Sequence, residues 1–207
     1  MNKLIIFDMN GVIFQPGFWE QVHEAYGTEK QGKILTEKYL TTDYAKLVEE
    51  VVNKLWKGKS AKPYLDVIKK QKYMKGAKAT IKKLKKRGYI TAIISGGPRH
   101  LGLRAKKEIG IDLIFTNDLI VKNKKITGEF KYPIAYQRKQ VILRNLAEKY
   151  NIDFKDVAVV VHDDNDLRMA KTAGIAIAFN PSPGELLKYC RIIIRKKDLS
   201  EILKYLK

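Results

Sequence analysis

Leu4-Ile5-Ile6-Phe7-Asp8-Met9-Asn10-Gly11-Val12 is the stretch from which the fold can be read. A short apolar run that stops at a polar residue is the pattern of a strand buried on both faces, and this one stops at a carboxylate. In an open α/β sheet, ligands bind in the crevice beyond the carboxyl ends of the strands. Gly11 lets the backbone turn away there and approach an anion closely. Asp8 is thus expected at the mouth of a ligand crevice.

Outward from this strand, short apolar runs alternate with amphipathic stretches. Strands are expected at Lys3 to Asp8, Ile90 to Ser95, Leu113 to Thr116, Val157 to Val161, Ile175 to Phe179 and Ile192 to Ile194. Helices are expected near 77–87, 99–109, 138–150, 165–173, 183–189 and 198–206. Such alternation predicts an α/β fold: a doubly wound, mostly parallel, Rossmann-like sheet with helices on both faces. Gly88, Gly110 and Gly174 each fall between a helix and a strand, where they are expected to terminate helices. Two segments break the alternation. Between 16 and 73, Tyr44, Leu47, Val48, Val51, Val52 and Leu55 recur at helical spacing, which predicts a small helical cap inserted after the first strand. Residues 119–121 and 126–130 flank a polar stretch, 122–125, and predict a hairpin. The expected division is a core of 1–15 and 74–207 with a cap of 16–73.

A chain of 207 residues with 45% apolar content can bury one sizeable core. Cys190 is its one cysteine, which excludes an intramolecular disulfide and fits a reducing, cytoplasmic setting. The apolar run after Lys3 is too short for the core of a signal peptide, and no run of about 18 uncharged apolar residues occurs, so no membrane is expected as a partner. The net charge of +19 would attract any polyanion. Its clusters, such as 82–87, sit within helical patterns as solvated faces and no nucleic-acid-binding module accompanies them, so nucleic acid is not an expected partner.

Three further places fall where partners of Asp8 are expected. Ser95-Gly96-Gly97 ends the second core strand and offers a hydroxyl and two unencumbered amides, suited to phosphate oxygens; the plain alternative is an ordinary turn. Lys139 opens a helix, where its charge opposes the dipole and an anionic partner would offset the cost; a solvated lysine is the plain alternative. His162-Asp163-Asp164-Asn165-Asp166 follows the apolar strand 157–161, and its crowded carboxylates call for a cation or hydrogen-bond donors. Asp164 or Asn165 could instead simply cap the next helix.

The order and setting of these segments resemble the phosphoserine-phosphatase-like branch of the haloacid-dehalogenase (HAD) superfamily, over essentially the whole chain. The resemblance implies a hydrolase acting on a small phosphorylated metabolite, with Asp8 as nucleophile and an aspartyl-phosphate intermediate. It implies that Ser95, Gly96 and Gly97 bind the phosphoryl oxygens, that Lys139 neutralises charge, and that Asn165 donates a hydrogen bond nearby. Magnesium (Mg) is implied at Asp8, the carbonyl of Asn10 and Asp166.

The chain departs from the family pattern in three ways. Asn10 stands where the family has an acid that protonates the leaving oxygen; an amide cannot exchange that proton, so activity on unactivated esters is expected to be weak. His162 stands where an aspartate ligates magnesium. Weakened magnesium binding is expected there, with manganese or zinc as alternatives and Asp163 as a replacement ligand. Gly17 and an arginine-free cap lack the residues with which phosphoserine-specific relatives grip their substrate. Specificity for phosphoserine is therefore not expected; Glu20, Trp19 and cap lysines are expected to line a different pocket, with Arg99 and His100 at its mouth. The alternative is a catalytically disabled member that binds a phosphorylated ligand or a protein.

Overall fold

In the computed structural model, which describes residues 3–206, strand β1 (Lys3–Phe7) is buried from Leu4 onward and lies at the centre of a seven-stranded sheet. Residues 1, 2 and 207, included in the expected core limits, lie outside the described residues. The other strands are β2 (Tyr89–Pro98), β3 (Leu113–Lys122), β4 (Lys125–Lys131), β5 (Val157–Val161), β6 (Ile175–Phe179) and β7 (Ile192–Ile194). Their order is β4-β3-β2-β1-β5-β6-β7, parallel throughout except for the antiparallel β3–β4 pair. Alternate side chains of β1 serve opposite cores: Ile5 and Phe7 join one cluster, Leu4 and Ile6 the other. Burial on both faces explains why the strand reads as a continuous apolar run. The α/β fold expected from the sequence is the one found.

One face is covered by α5 (Ala77–Lys86) and α6 (Arg99–Ile109), the other by α7 (Lys139–Lys149) and α8 (Leu167–Thr172). Between β1 and α5 lie α1 (Phe18–Tyr26), α2 (Glu29–Tyr39), α3 (Tyr44–Val48), a π-helical segment (Glu49–Trp56) and α4 (Lys62–Lys70). Phe18, Trp56 and Tyr64 from these helices belong to the same core cluster as Phe7, so the helical segment is packed continuously onto the sheet.

Several local expectations are corrected. The strand at 113–116 and the first hairpin arm are one strand, because Asn117 between them is fully buried and satisfied within the sheet. Its amide nitrogen donates to the carbonyls of Gly96 and Ile134 and its oxygen accepts from the Ile134 amide. The hairpin turn itself is as expected, with Asn123 and Lys124 at φ 51° and 60°. The helices expected at 183–189 and 198–206 are short 3-10 segments, Glu185–Tyr189 and Leu199–Lys204. Gly88 and Gly110 do end helices at positive φ, but Gly174 does not. It is needed instead for close approach, since a Cβ there would lie 2.5 Å from the Lys155 Cα.

Candidate functional site

Asp8 continues the β1 ladder, its amide donating to the Val160 carbonyl at 3.0 Å, and the chain then turns sharply. Gly11 at φ 81° makes that turn, and a Cβ there would come within 2.6 Å of the His162 ring. Lys139, the first residue of α7, reaches back beneath this turn. Its Nζ lies 2.7 Å from Asp8 Oδ1 and 2.6 Å from Asp166 Oδ1, with all three side chains buried. The second oxygen of Asp166 accepts from the His162 amide at 3.0 Å. One lysine thus bridges the ends of β1 and β5.

Burial alone would lower the Lys139 ammonium, but the carboxylates of Asp166, Asp8 and Asp163 outweigh it and hold the group charged. Burial also pushes the Asp166 carboxyl up to about 7, against the pull of Lys139. Asp163 is raised by burial and then by the charge of Asp8. Three carboxylates share one lysine, so negative charge is left over at the carboxyl end of the sheet.

Above this floor opens a cavity of about 1270 Å³, roofed by α1, α2, α3 and the π-helical segment. Asp8, Asn10, Ser95, Gly96, Gly97, Lys139, Asp163, Asn165 and Glu20 all line it, so the structure brings together most of the residues singled out in the sequence. Asp166 lies just beneath, reached through Lys139.

Other expected residues are placed differently. His162 does not line the cavity: its ring packs on Gly11 and its Nδ1 donates to the Phe179 carbonyl at 3.3 Å. The neighbouring Asp163 lines the cavity in its stead. The Gly97 amide is not unencumbered, because it donates to Ser95 Oγ at 3.2 Å; a Cβ at Gly97 would displace the flexible end of the Met9 side chain. Asp163, through the Asn165 amide, caps the 3-10 turn Asp164–Asp166, while Asp164 accepts from the amides of Glu185 and Leu186 instead of capping its own helix. Asn165 Oδ1 accepts from the Gln137 amide. Arg99 and His100 lie outside the cavity lining, and His100 is bonded to the Tyr64 hydroxyl at 3.1 Å. Trp56 and Tyr136, which also line the cavity, were not anticipated. Trp56 closes the helical apolar pattern and could have been found from it; Tyr136 carries no periodic signal.

Whether these residues suit a divalent cation can be judged from their donors. Among the described residues no three acidic, histidine or cysteine side chains are grouped as a metal centre. Yet Asn10 Oδ1 is buried with no hydrogen-bond partner, in a residue that lines the same cavity as the carboxylates of Asp8 and Asp163. An orphaned oxygen among anionic oxygens is a set of hard donors that fits magnesium.

A mostly parallel sheet with a lysine-bridged pair of carboxylates at the carboxyl ends of its central strands, under a helical roof, defines a doubly wound α/β protein with a ligand crevice at the usual place. The chain belongs to the haloacid dehalogenase-like hydrolase family, whose model matches residues 2–174, and it is a phosphoric monoester hydrolase. It is 33% identical to the phosphoserine phosphatase of Methanocaldococcus jannaschii, covering 100% of this chain and 98% of that one. A substrate-bound phosphoserine phosphatase complex superimposes with a TM-score of 0.90 at 32% identity, covering 100% of this chain and 99% of the other. A phospho-aspartyl intermediate analogue of phosphoserine phosphatase gives 0.89 at 33% identity, with 100% and 99% covered. No helix among the described residues is long and apolar enough to cross a membrane.

Proposed function

We propose that the chain hydrolyses a small phosphomonoester through an aspartyl phosphate on Asp8, with residues 16–73 serving as a cap over the reaction. The observation that carries this reading is the Lys139 bridge, which holds one oxygen of Asp8 at 2.7 Å and presents the carboxylate at the cavity floor. The other oxygen attacks phosphorus, the bond from phosphorus to the alcohol oxygen breaks, and water then cleaves the acyl phosphate to release inorganic phosphate. Ser95, whose hydroxyl accepts from Gly97 and keeps its own proton to donate, binds a phosphoryl oxygen together with the Gly96 amide. Lys139 offsets charge on Asp8 and the phosphoryl group. A structure of a phospho-aspartyl intermediate analogue of phosphoserine phosphatase, 33% identical to this chain, supports the same intermediate here.

Magnesium, held by Asp8, Asp163 and Asn10, would supply positive charge to the phosphoryl group. Zinc has little to recommend it once the His162 ring lies outside the cavity. Asn10 can hydrogen-bond the leaving oxygen but cannot protonate it, so that oxygen takes its proton from water and turnover of alkyl esters is slow. The relatives' names make phosphoserine the first compound to assay. Neither the fold nor the relatives favour a disabled binder. The buried single cysteine, Cys190, supports a cytoplasmic setting.

The test is release of inorganic phosphate from phenyl phosphate with magnesium, measured for the chain and for Asp8→Asn. Turnover that disappears in Asp8→Asn supports the reading; turnover that survives it, or none with any divalent cation, overturns it.

A further inference from the structure

The cavity is too large and too acidic for a substrate whose alcohol part is small and carries a carboxylate. We infer that the substrate is the phosphomonoester of a bulky, largely apolar alcohol that bears an amine and no carboxylate. This rests on the hydrolase reading above and specifies the alcohol.

Size is the first argument. At about 1270 Å³ the cavity exceeds the roughly 300–1,000 Å³ usual for small-ligand sites, and a phosphate group at Asp8 would fill only its floor. The walls above are apolar and aromatic, with Trp19 and Trp56 stacked 6.2 Å apart and Val51 and Val52 beside them. A substrate reaching from Asp8 to the rim must present apolar surface to these walls.

Charge is the second argument, and it runs against the composition of the chain. The protein carries +19, yet Glu20, Glu24, Glu29 and Glu37 stand along the cavity on α1 and α2, opposed there by Lys33 alone. Lys33 is itself 3.9 Å from Glu37. On the floor, Lys139 is already engaged by Asp8 and Asp166. His23, the other ionisable base in the lining, has its imidazole pKa lowered by burial and its Nδ1 is engaged with the Thr28 hydroxyl at 2.9 Å. A substrate carboxylate would therefore enter an acidic field without a free counter-charge among the described lining residues, whereas an ammonium would be drawn to it. Each exposed charge contact is worth at most about fivefold, so several acting together give a preference of roughly tenfold to a hundredfold.

The experiment compares matched esters on the unaltered chain: tyramine O-phosphate (amine only), O-phosphotyrosine (amine and carboxylate) and 3-(4-phosphooxyphenyl)propionate (carboxylate only), with phenyl phosphate as the neutral reference. The expected order of kcat/KM is the order just given, with the first at least about tenfold above the second. O-phosphoethanolamine should likewise exceed O-phosphoserine. In Glu20→Gln/Glu24→Gln the ratio of amine to carboxylate substrates should fall several-fold, and it should shrink in high salt. Failure to turn over phenyl phosphate counts against the hydrolase reading and leaves this inference open to a separate measurement. Both tryptophans of the chain line the cavity, so their fluorescence gives dissociation constants for the same esters without catalysis. Equal or tighter binding, or equal or faster turnover, of the carboxylate esters overturns the inference.

Discussion

Among the described residues, Lys139→Met removes the one positive charge that joins the ends of β1 and β5 while keeping the length and volume of the side chain. The lysine is 2% exposed and its two partners, at 2.7 and 2.6 Å, are Asp8 at 5% and Asp166 at 0%. Breaking a buried ion pair by removing one partner costs about 3–5 kcal/mol, because the remaining charge is left without compensation. In a protein of 150–250 residues each kcal/mol moves Tm by about 2–4 °C, so a fall of about 6–20 °C is expected. The two carboxylates do not share the loss equally. Asp8 lines the cavity and can recruit water, whereas Asp166 is walled in and carries most of the penalty. Adding Asp166→Asn removes that trapped charge and leaves an oxygen for the His162 amide, so the double variant should recover more than half of the lost Tm. Thermal unfolding followed by circular dichroism on the four members of the cycle measures this. A fall below about 3 °C for Lys139→Met, or no recovery in the double variant, would refute the assignment of Lys139 as the electrostatic clamp of the site.

Other consequences are as direct. Asn10→Asp supplies a carboxyl that can trade a proton with the leaving oxygen, so hydrolysis of an alkyl phosphate should rise about 10²–10⁴-fold and that of an aryl phosphate much less; phosphate release from a matched pair decides it. Gly11→Ala should lose about 1–3 kcal/mol in urea unfolding, because φ 81° is strained for alanine and the His162 ring fills the space. Gly27→Ala, at φ 64° with nothing within 4 Å, isolates the backbone share of about 1–2 kcal/mol. His23 has its folded-state imidazole pKa lowered by burial, so the unfolded chain binds a proton first as pH falls. Its contribution to stability is therefore complete above the unfolded value near 6.5 and is lost as pH drops through the lowered one; Tm measured from pH 7.5 to 4.5 should show this slope, and His23→Phe should remove it.

Much of this was legible because the signals were periodic or local. The apolar run of β1 and the matching run of β5 reported burial on both faces, and the helical spacing of Tyr44, Leu47, Val48, Val51 and Val52 reported the inserted helices, although it could not show the passage from α-helix to π-helix at Glu49. Asn117 misled because a buried asparagine satisfied by three backbone groups looks, in one dimension, like a turn. Lys139 was visible as a lysine at a helix start, but its two partners lie 131 and 27 residues away, and only folding joins them. The rotation that brings Asp163 in place of His162 to the cavity depends on contacts with Gly11 and Phe179 that no local pattern encodes.

Those contacts make the departures at positions 10 and 162 parts of one arrangement. The His162 ring lies against Gly11, the neighbour of Asn10, and its Nδ1 donates to the Phe179 carbonyl, which fixes the tautomer with the proton on Nδ1. An aspartate at 162 would be shorter, would leave the space over Gly11 unfilled and would take away the donor to Phe179. It would also set another carboxylate beside Asp8, Asp163 and Asp166, which already share a single lysine. An aspartate at position 10 would add to the same surplus from the other side, whereas Asn10 brings a side-chain oxygen with no charge. Histidine at 162 and asparagine at 10 therefore reduce the negative charge of the floor together, and on the hydrolase reading that eases binding of a phosphate dianion, which Asn10→Asp would weaken while speeding proton transfer. Slower proton transfer at the leaving oxygen is the chemical consequence of that electrostatic relief.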